Sequence, residues 1–310
     1  PLYRWQTLQA FVDCHLKNKA LGTVLTVEVS DPTGYGRIIR DGHNGLEKVV
    51  EQKDANSSEA LVKEINSGTF VFDSRALFRA LRHVRPDNQQ KEYYLPDVLT
   101  IMKEMFGGGI QIYKHDDAQE ALGVNDRAQL AVAEGVLQNR LRRHWLEQGV
   151  TLVDPQNTYI HSAAVLDQDV VVMPFTFIEG RTTIGRGSVI GPFVRLCNVE
   201  VGEDVHVSQS TVLDSKLASQ CEVGPYSYIR PGSHISRGAK VGAFCEVKNT
   251  VLGESSKIPH LSYVGDTEVG NDVNIGAGVI TCNFDGVTKH KTVIQDGAFI
   301  GSNCNLIAPL

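Results

Sequence analysis

The sequence predicts an α/β domain followed by a parallel β-helix, with one helix between them, and three observations carry that prediction. Apolar residues recur every six positions through the second half. The first half mixes strand-like and helical spacing, and one long stretch of helical period separates the two. At 310 residues the chain exceeds the usual size of one compact domain, so each part is long enough to bury a core of its own.

Within the first part, "PLYRWQTLQAFVDCHL" carries helical spacing and "LGTVLTVEVSD" alternates as a strand does. The segment "EINSGTFVFDSRALFRAL" reads as a strand and then a helix capped by Asp73 or Ser74. That alternation predicts an α/β domain over residues 1–125. Next comes "NDRAQLAVAEGVLQNRLRRHWLEQG", in which Asp126 is placed to cap and Gln129 stands three residues on, as in a capping box. Leu130, Ala133, Leu137 and Leu141 repeat at three and four, and Gly149 supplies a stop. One linking helix over 126–149 is expected, with Arg140, Arg142 and Arg143 on a solvated face.

Beyond it Ile160, Leu166, Val172, Ile178, Ile184, Ile190 and Leu196 stand six apart. After a phase slip Leu217, Val223, Ile229, Ile235, Val241 and Val247 do so again, and Ile294, Ile300 and Leu306 resume the beat. A period of six fits neither a helix of ~3.6 residues per turn nor an ordinary meander. Glycine commonly follows the apolar position, as in "IGRGSV" and "VGPYSY". Short strands meeting at sharp corners over residues 150–310 explain both features, with an inward aliphatic residue of each hexad stacking on its counterpart one coil away. The beat breaks at Leu196 to Val201, Val247 to Leu252 and Thr281 to Val293, where loops are expected to leave the prism and bring chemistry with them.

Charged residues make up 21% with a net charge of -6, and the basic ones are scattered, which argues against a nucleic-acid surface. No apolar run approaches the ~18 residues of a membrane span, and no basic-then-apolar leader is seen, so no membrane partner and a cytoplasmic location are expected. Six cysteines without a C-x-x-C pair disfavour a zinc site or a disulfide framework; reduced, mostly buried thiols are expected.

Stacked coils bring residues that are distant in number to one edge. A groove holding Arg230, Lys248, His260, Tyr263 and Asn274 would offer two cations for a phosphate, a base suited to neutral pH, and hydroxyl and amide groups for a sugar. Taken singly, the histidine and lysine read as surface residues and Tyr263 and Asn274 as corner residues. His206, His234 and His290 lack a supporting motif and are expected at exposed corners. Gly36 within "TGYGR" would let a ligand approach the backbone, or is an ordinary turn.

The stretches "YIRPGSHISRGAKVGAFCEVKN", "KIPHLSYVGD", "NIGAGVITCNFDG" and "IGSN" together resemble the C-terminal domain of the bifunctional bacterial UDP-N-acetylglucosamine pyrophosphorylase and glucosamine-1-phosphate N-acetyltransferase family. In the first half "DPTGYGRIIR", "VVEQKDA", "EINSG", "EYYLPD" and "GVND" resemble its uridylyltransferase domain, in the same order. The resemblance implies a partial α/β nucleotidyltransferase domain, the linking helix, and a left-handed β-helix. It implies His260 as the base that deprotonates the amine of glucosamine 1-phosphate while that amine attacks acetyl-CoA. Arg230 and Lys248 would hold the phosphate, Tyr263 and Asn274 would orient sugar and base, and an N–H near Ala277 would stabilise the oxyanion. Ala277, Asn283, Phe284 and Ser302 match acetyl-CoA contacts, with Phe284 where the family more commonly has tyrosine.

For the first half the resemblance implies Gly36, Glu51 and Asn66 around a nucleotide sugar made from UTP, and Asn125 on that sugar nucleotide and on Mg2+. A homotrimer, with each acetyl-transfer site shared between neighbouring prisms, and a role in supplying cell-envelope polymers follow from it too. The chain opens on Pro1 and stops at "NLIAPL". The resemblance places the Gly-rich nucleotide loop and a metal-binding aspartate before Pro1 and further coils after Leu310, so uridylyl transfer is not expected of the chain as written. Two other readings stay open: a nucleotidyltransferase whose β-helix is only structural, and a metal-dependent hydratase built on His206, His234 and His260.

Overall fold

A computed structural model describes residues 2–310; Pro1, with which the sequence opens, lies outside them. Contacts divide the chain into two units, Pro1–Leu137 and Gln138–Leu310. The first contains a sheet of β1 (Gly22–Glu28), β2 (Arg37–Arg40), β3 (Leu46–Val50), β4 (Glu64–Phe72) and β5 (Ile110–His115). Their order is β3-β2-β4-β1-β5, with β1 and β5 parallel and the other neighbours antiparallel. With α1 (Trp5–Lys17), α2 (Ser74–Ala80) and α3 (Asp97–Phe106) it makes the expected α/β domain.

The alternation read in "LGTVLTVEVSD" does not give β1 a wet face. Phe11 of α1 packs with Leu25 and Val27, while Leu99 of α3 packs with Val24, so both sides are covered and Thr23 and Thr26 are buried as well. Their hydroxyls are satisfied, Thr23 against His15 Nδ1 at 2.8 Å and Thr26 donating to Glu64 at 2.6 Å, which burial demands. Asp73, rather than Ser74, caps α2: its Oδ1 accepts the Ala76 N–H at 2.8 Å.

Helix α4 (Arg127–Glu147) spans the division between the units. Asp126 Oδ1 accepts the Gln129 N–H at 2.7 Å, and Gln129 Oε1 accepts the N–H of Asn125 at 2.6 Å, so the capping box closes one residue earlier than expected. Gly149, at φ +88°, ends the last turn. Leu130 is exposed although its spacing marks it as core, and the arginine run is not a solvated face throughout. Arg142 is buried: its Nε donates to Thr158 O at 2.9 Å and its guanidinium lies 5.8 Å from the Tyr159 ring centre. Charge density in the sequence could not reveal that a carbonyl at the start of the strand Thr158–Ile160 would take it up.

The second unit is a parallel β-solenoid matching a left-handed β-helix. Its first face runs from Thr158–Ile160 to Asn305–Ile307 in nine strands, its second from Val165–Leu166 to Thr292–Ile294 in eight, and its third from Thr151–Leu152 to Phe299–Ile300 in nine. Every apolar residue of the six-residue beat from Ile160 to Val247 is buried, as is Ile294, while Ile300 and Leu306 are partly buried. Each such side chain contributes about 1.5–3 kcal/mol of transfer free energy. The glycines that follow them have a steric reason. A Cβ on Gly253 would stand 2.2 Å from the carbonyl oxygen of Gly270 in the adjacent coil.

Two of the three expected loop sites are not loops. At Leu196 to Val201 and Val247 to Leu252 the corner is one residue shorter, and Asn198 and Asn249 take φ of 54° and 46° to turn it. Only Thr281 to Val293 leaves the solenoid. All six cysteines are free, but only Cys221 and Cys245 are buried, fewer than expected. No helix among the described residues is long and apolar enough to cross a membrane.

Candidate functional site

On the first face, Arg230, Lys248 and Gly265 follow one another up the prism. The Arg230 N–H donates to Val247 O at 2.8 Å, and Lys248 pairs in register with Gly265. Tyr263 lies opposite Glu246. The Arg230 guanidinium donates to Glu246 Oε1 at 2.8 Å and sits 5.9 Å from the Tyr228 ring centre. At the corner just beyond, Asp266 Oδ1 accepts the Asn249 amide at 2.8 Å, while Asp266 Oδ2 faces Lys248 Nζ at 3.5 Å and Lys289 Nζ at 3.8 Å. Burial alone would raise the Asp266 carboxyl; the Asn249 amide and the two lysines outweigh it and hold the group below its ordinary range. Lys248 is raised, first by its hydrogen bond with Lys289 and then by Asp266, while Lys289 is lowered by Lys248 against the pull of Asp266.

The loop at Thr281 to Val293 delivers Lys289. Asn283 roots it: its buried amide donates to His290 O at 2.9 Å, Thr292 Oγ1 at 3.2 Å and Asp266 O at 3.3 Å, leaving Oδ1 without a partner among the described residues. Phe284, exposed, pairs with Lys289 in a short antiparallel bridge. His290 lies in this loop rather than at a corner, half-buried, and pairs with Asp285 Oδ2 at 2.8 Å. A cleft of roughly 350 Å³ lies here, bounded by Asn249, Asp266, Lys289 and His290.

His260 ends the strand Lys257–His260 on the third face, opposite Ala243, and is exposed. Leu261 turns the corner at φ 51°, and Tyr263 then opens the first-face strand. Lys257 pairs with Asn274 and Asn274 with Phe299, so continuing that register puts His260, Ala277 and Ser302 at equivalent places on three successive coils. The carbonyl of Ala277 accepts the Asn303 N–H at 2.8 Å; its own N–H donates to no group among the described residues. Asn274 is set back from the corner on the third face.

The five residues expected in one groove therefore occupy two adjoining faces. Arg230, Lys248 and Tyr263 share the first, Asn274 lies on the third, and His260 stands at their common corner. The cause is the hexad itself, which sends each successive strand to the next face. His206 and His234 are exposed, yet they lie on strands of the third and second faces rather than at corners, and they do not converge with His260. Sequence reasoning missed Glu246, Gly265, Asp266 and Lys289, although "YVGD" and "VTKHK" contain three of them.

In the first unit, Gly36, Glu51 and Asn66 do come together. A Cβ on Gly36 would lie 3.0 Å from Glu51 Oε1, and Gly36 O accepts the Asn66 N–H at 2.8 Å. Burial, then Asp54 and Asp97, push the Glu51 carboxyl up, against the pull of Arg37. Glu51 borders a cleft of roughly 760 Å³ with Asp54, Tyr94 and Asp97. Asn125 stands two residues after Gly123, whose N–H donates to Tyr35 Oη at 3.3 Å beside Gly36.

Over its full 310 residues the chain is 51% identical to the bifunctional protein GlmU of Heliobacterium modesticaldum, covering 68% of that protein. Against the GlmU of Desulfitobacterium hafniense strain DCB-2 identity is 48%, and against that of Shouchella clausii 46%, each again over the whole chain and 68% of the relative. The chain belongs to the bifunctional GlmU family. GlmU proteins are transferases with both acetyltransferase and uridylyltransferase activities. No family model matches the chain. Among solved structures, LpxA from Acinetobacter baumannii overlaps at a TM-score of 0.30 and 18% identity, covering 49% of this chain and 68% of that one. A UDP-N-acetylglucosamine acyltransferase from Campylobacter jejuni overlaps at 0.28 and 10%, covering 43% and 65%.

Proposed function

We propose that the corner of the β-helix between its third and first faces transfers the acetyl group of acetyl-CoA to the amine of glucosamine 1-phosphate, with His260 as the base. The observation that carries this reading is the column of His260, Ala277 and Ser302 at that corner, with the cations Arg230 and Lys248 at the far end of the adjoining first-face strands. An ammonium has no lone pair, so His260 takes the amine proton as the N–C bond forms. The thioester carbonyl becomes an oxyanion, which the unengaged Ala277 N–H is suited to receive, and the C–S bond then breaks to release the CoA thiolate. Arg230 and Lys248 hold the phosphate, and Tyr263 and Asn274 orient the sugar and the base. Asn283, Phe284 and Ser302 contact acetyl-CoA; the partnerless Asn283 Oδ1 is a buried acceptor suited to a ligand donor.

The split of these groups over two faces supports a cleft closed between copies of the chain, hence a homotrimer. In the first unit, Gly36, Glu51 and Asn66 hold the sugar and ribose of the uridylyltransferase reaction, which uses UTP. Asn125 offers Mg2+ a single amide oxygen, whereas that ion wants near-octahedral oxygen ligation with carboxylates. No cluster of metal-ligating side chains lies among the described residues, so no step is assigned to the metal here. Such chemistry belongs in the cytoplasm, where the nucleotide and CoA substrates are.

Free-thiol release from acetyl-CoA with glucosamine 1-phosphate tests the reading in the full-length protein. His260→Ala is expected to lose at least about 100-fold in rate while staying folded. An unchanged rate in a folded variant removes His260 from this role.

A further inference from the structure

Lys248 comes from the solenoid and Lys289 from the loop, and nothing in their backbones requires two ammonium groups to meet. Both face the same oxygen of Asp266, at 3.5 and 3.8 Å. Asp266 cannot swing away: it is largely buried, its other oxygen accepts the Asn249 amide at 2.8 Å, and its backbone is the junction of this part of the molecule. Its N–H donates to Lys248 O at 2.9 Å, and its carbonyl accepts the Asn283 amide and the Thr292 N–H, each at 3.3 Å, at the two ends of the loop. The other charges nearby are already paired, Arg230 with Glu246, Lys291 with Glu268 and His290 with Asp285, and Tyr263 is the remaining titratable neighbour. Asp266 is thus the counter-charge left for the two lysines.

We propose that Asp266 is a positioning residue of the acetyl-transfer site, whose carboxylate, locked by Asn249, holds the Lys248 and Lys289 ammonium groups side by side as one seat for a dianionic phosphate. Each ammonium has three donors, and at 3.5 and 3.8 Å both face Asp266 as ion-pair partners, so their donors are left for phosphate oxygens. Without the carboxylate, repulsion would part the lysines and release the loop that carries Lys289. The proposal rests on the reading that a sugar phosphate binds this face.

Asp266→Asn in the full-length protein keeps the size of the side chain and removes its charge. The KM for glucosamine 1-phosphate should rise about tenfold, and the inhibition constant of inorganic phosphate should rise with it, while kcat stays within about twofold. The alkaline limb of kcat/KM should move to lower pH, because a lysine that has lost its counter-charge gives up its proton sooner; a merely structural lesion would not move it. Asn249→Ala, which leaves every charge in place, should raise KM in the same direction by about threefold and serves if the first variant does not fold. An unchanged KM and alkaline limb in folded Asp266→Asn, or a fall in kcat with KM unchanged, overturns the proposal, as does an unchanged KM in Asn249→Ala. A wild-type protein that fails to acetylate glucosamine 1-phosphate would instead remove the underlying reading.

Discussion

The ring of Tyr263 lies across Gly265, two residues further along the same strand. A Cβ at 265 would stand 2.4 Å from the phenolic oxygen and 2.7 Å from the ring carbon that bears it. Lys248 is the register partner of Gly265, so the missing side chain leaves room for the tyrosine to reach toward the lysine.

Gly265→Ala should therefore expel the ring while leaving the β-helix folded. Overpacking of this kind costs about 1–3 kcal/mol, and the KM for glucosamine 1-phosphate should rise about tenfold. Tyr263→Leu in the Gly265→Ala background should add little, since the ring is already displaced. Full additivity of the two changes in KM would show that they act separately.

Glu51 makes a pH prediction. Its carboxyl is raised by burial and by Asp54 and Asp97, so the folded first unit favours the protonated form. Stability is therefore greatest below the ordinary carboxylate range, falls as pH rises from there through the raised folded value, and stays reduced above it. Glu51→Gln should lift the melting temperature at pH 8 and leave it nearly unchanged at pH 4, while weakening binding of the nucleotide sugar. Equal shifts at both values would mean that ionisation of Glu51 is not the cause.

Arg142 anchors α4 to the first strand of the first face through Thr158 O. Arg142→Ala leaves that carbonyl without its donor and strips the face of Tyr159, and should destabilise the β-helix by about 1–3 kcal/mol in denaturant unfolding. Arg143→Ala, whose partner Glu147 is exposed, should change stability by less than about 0.5 kcal/mol.

The solenoid was legible because one inward residue per hexad is a pattern no other fold requires, and Ile160 through Val247 show it without side-chain detail. Its corners were not legible. A turn shortened by one residue at Asn249 and a true excursion after Thr281 both read as a lost beat, and only the fold separates them. His260, Lys248 and Arg230 stood out by chemical type within recognisable stretches. Asp266 and Lys289 did not, since their meaning depends on register between coils and on where a loop folds back. Arg142 was misread for the same reason: its partner is a backbone carbonyl, which no composition reveals.

Gly253 and Gly270 pack backbone against backbone, and each coil touches only the ones directly above and below. Such a column melts like a chain of nearest-neighbour links rather than as a single block. A flaw in one layer, such as Ile229→Ala, would let the stack part there. The layers bearing Arg230 and Lys248 would then drift apart while coils on either side kept their order, silencing the enzyme before any global unfolding could be seen.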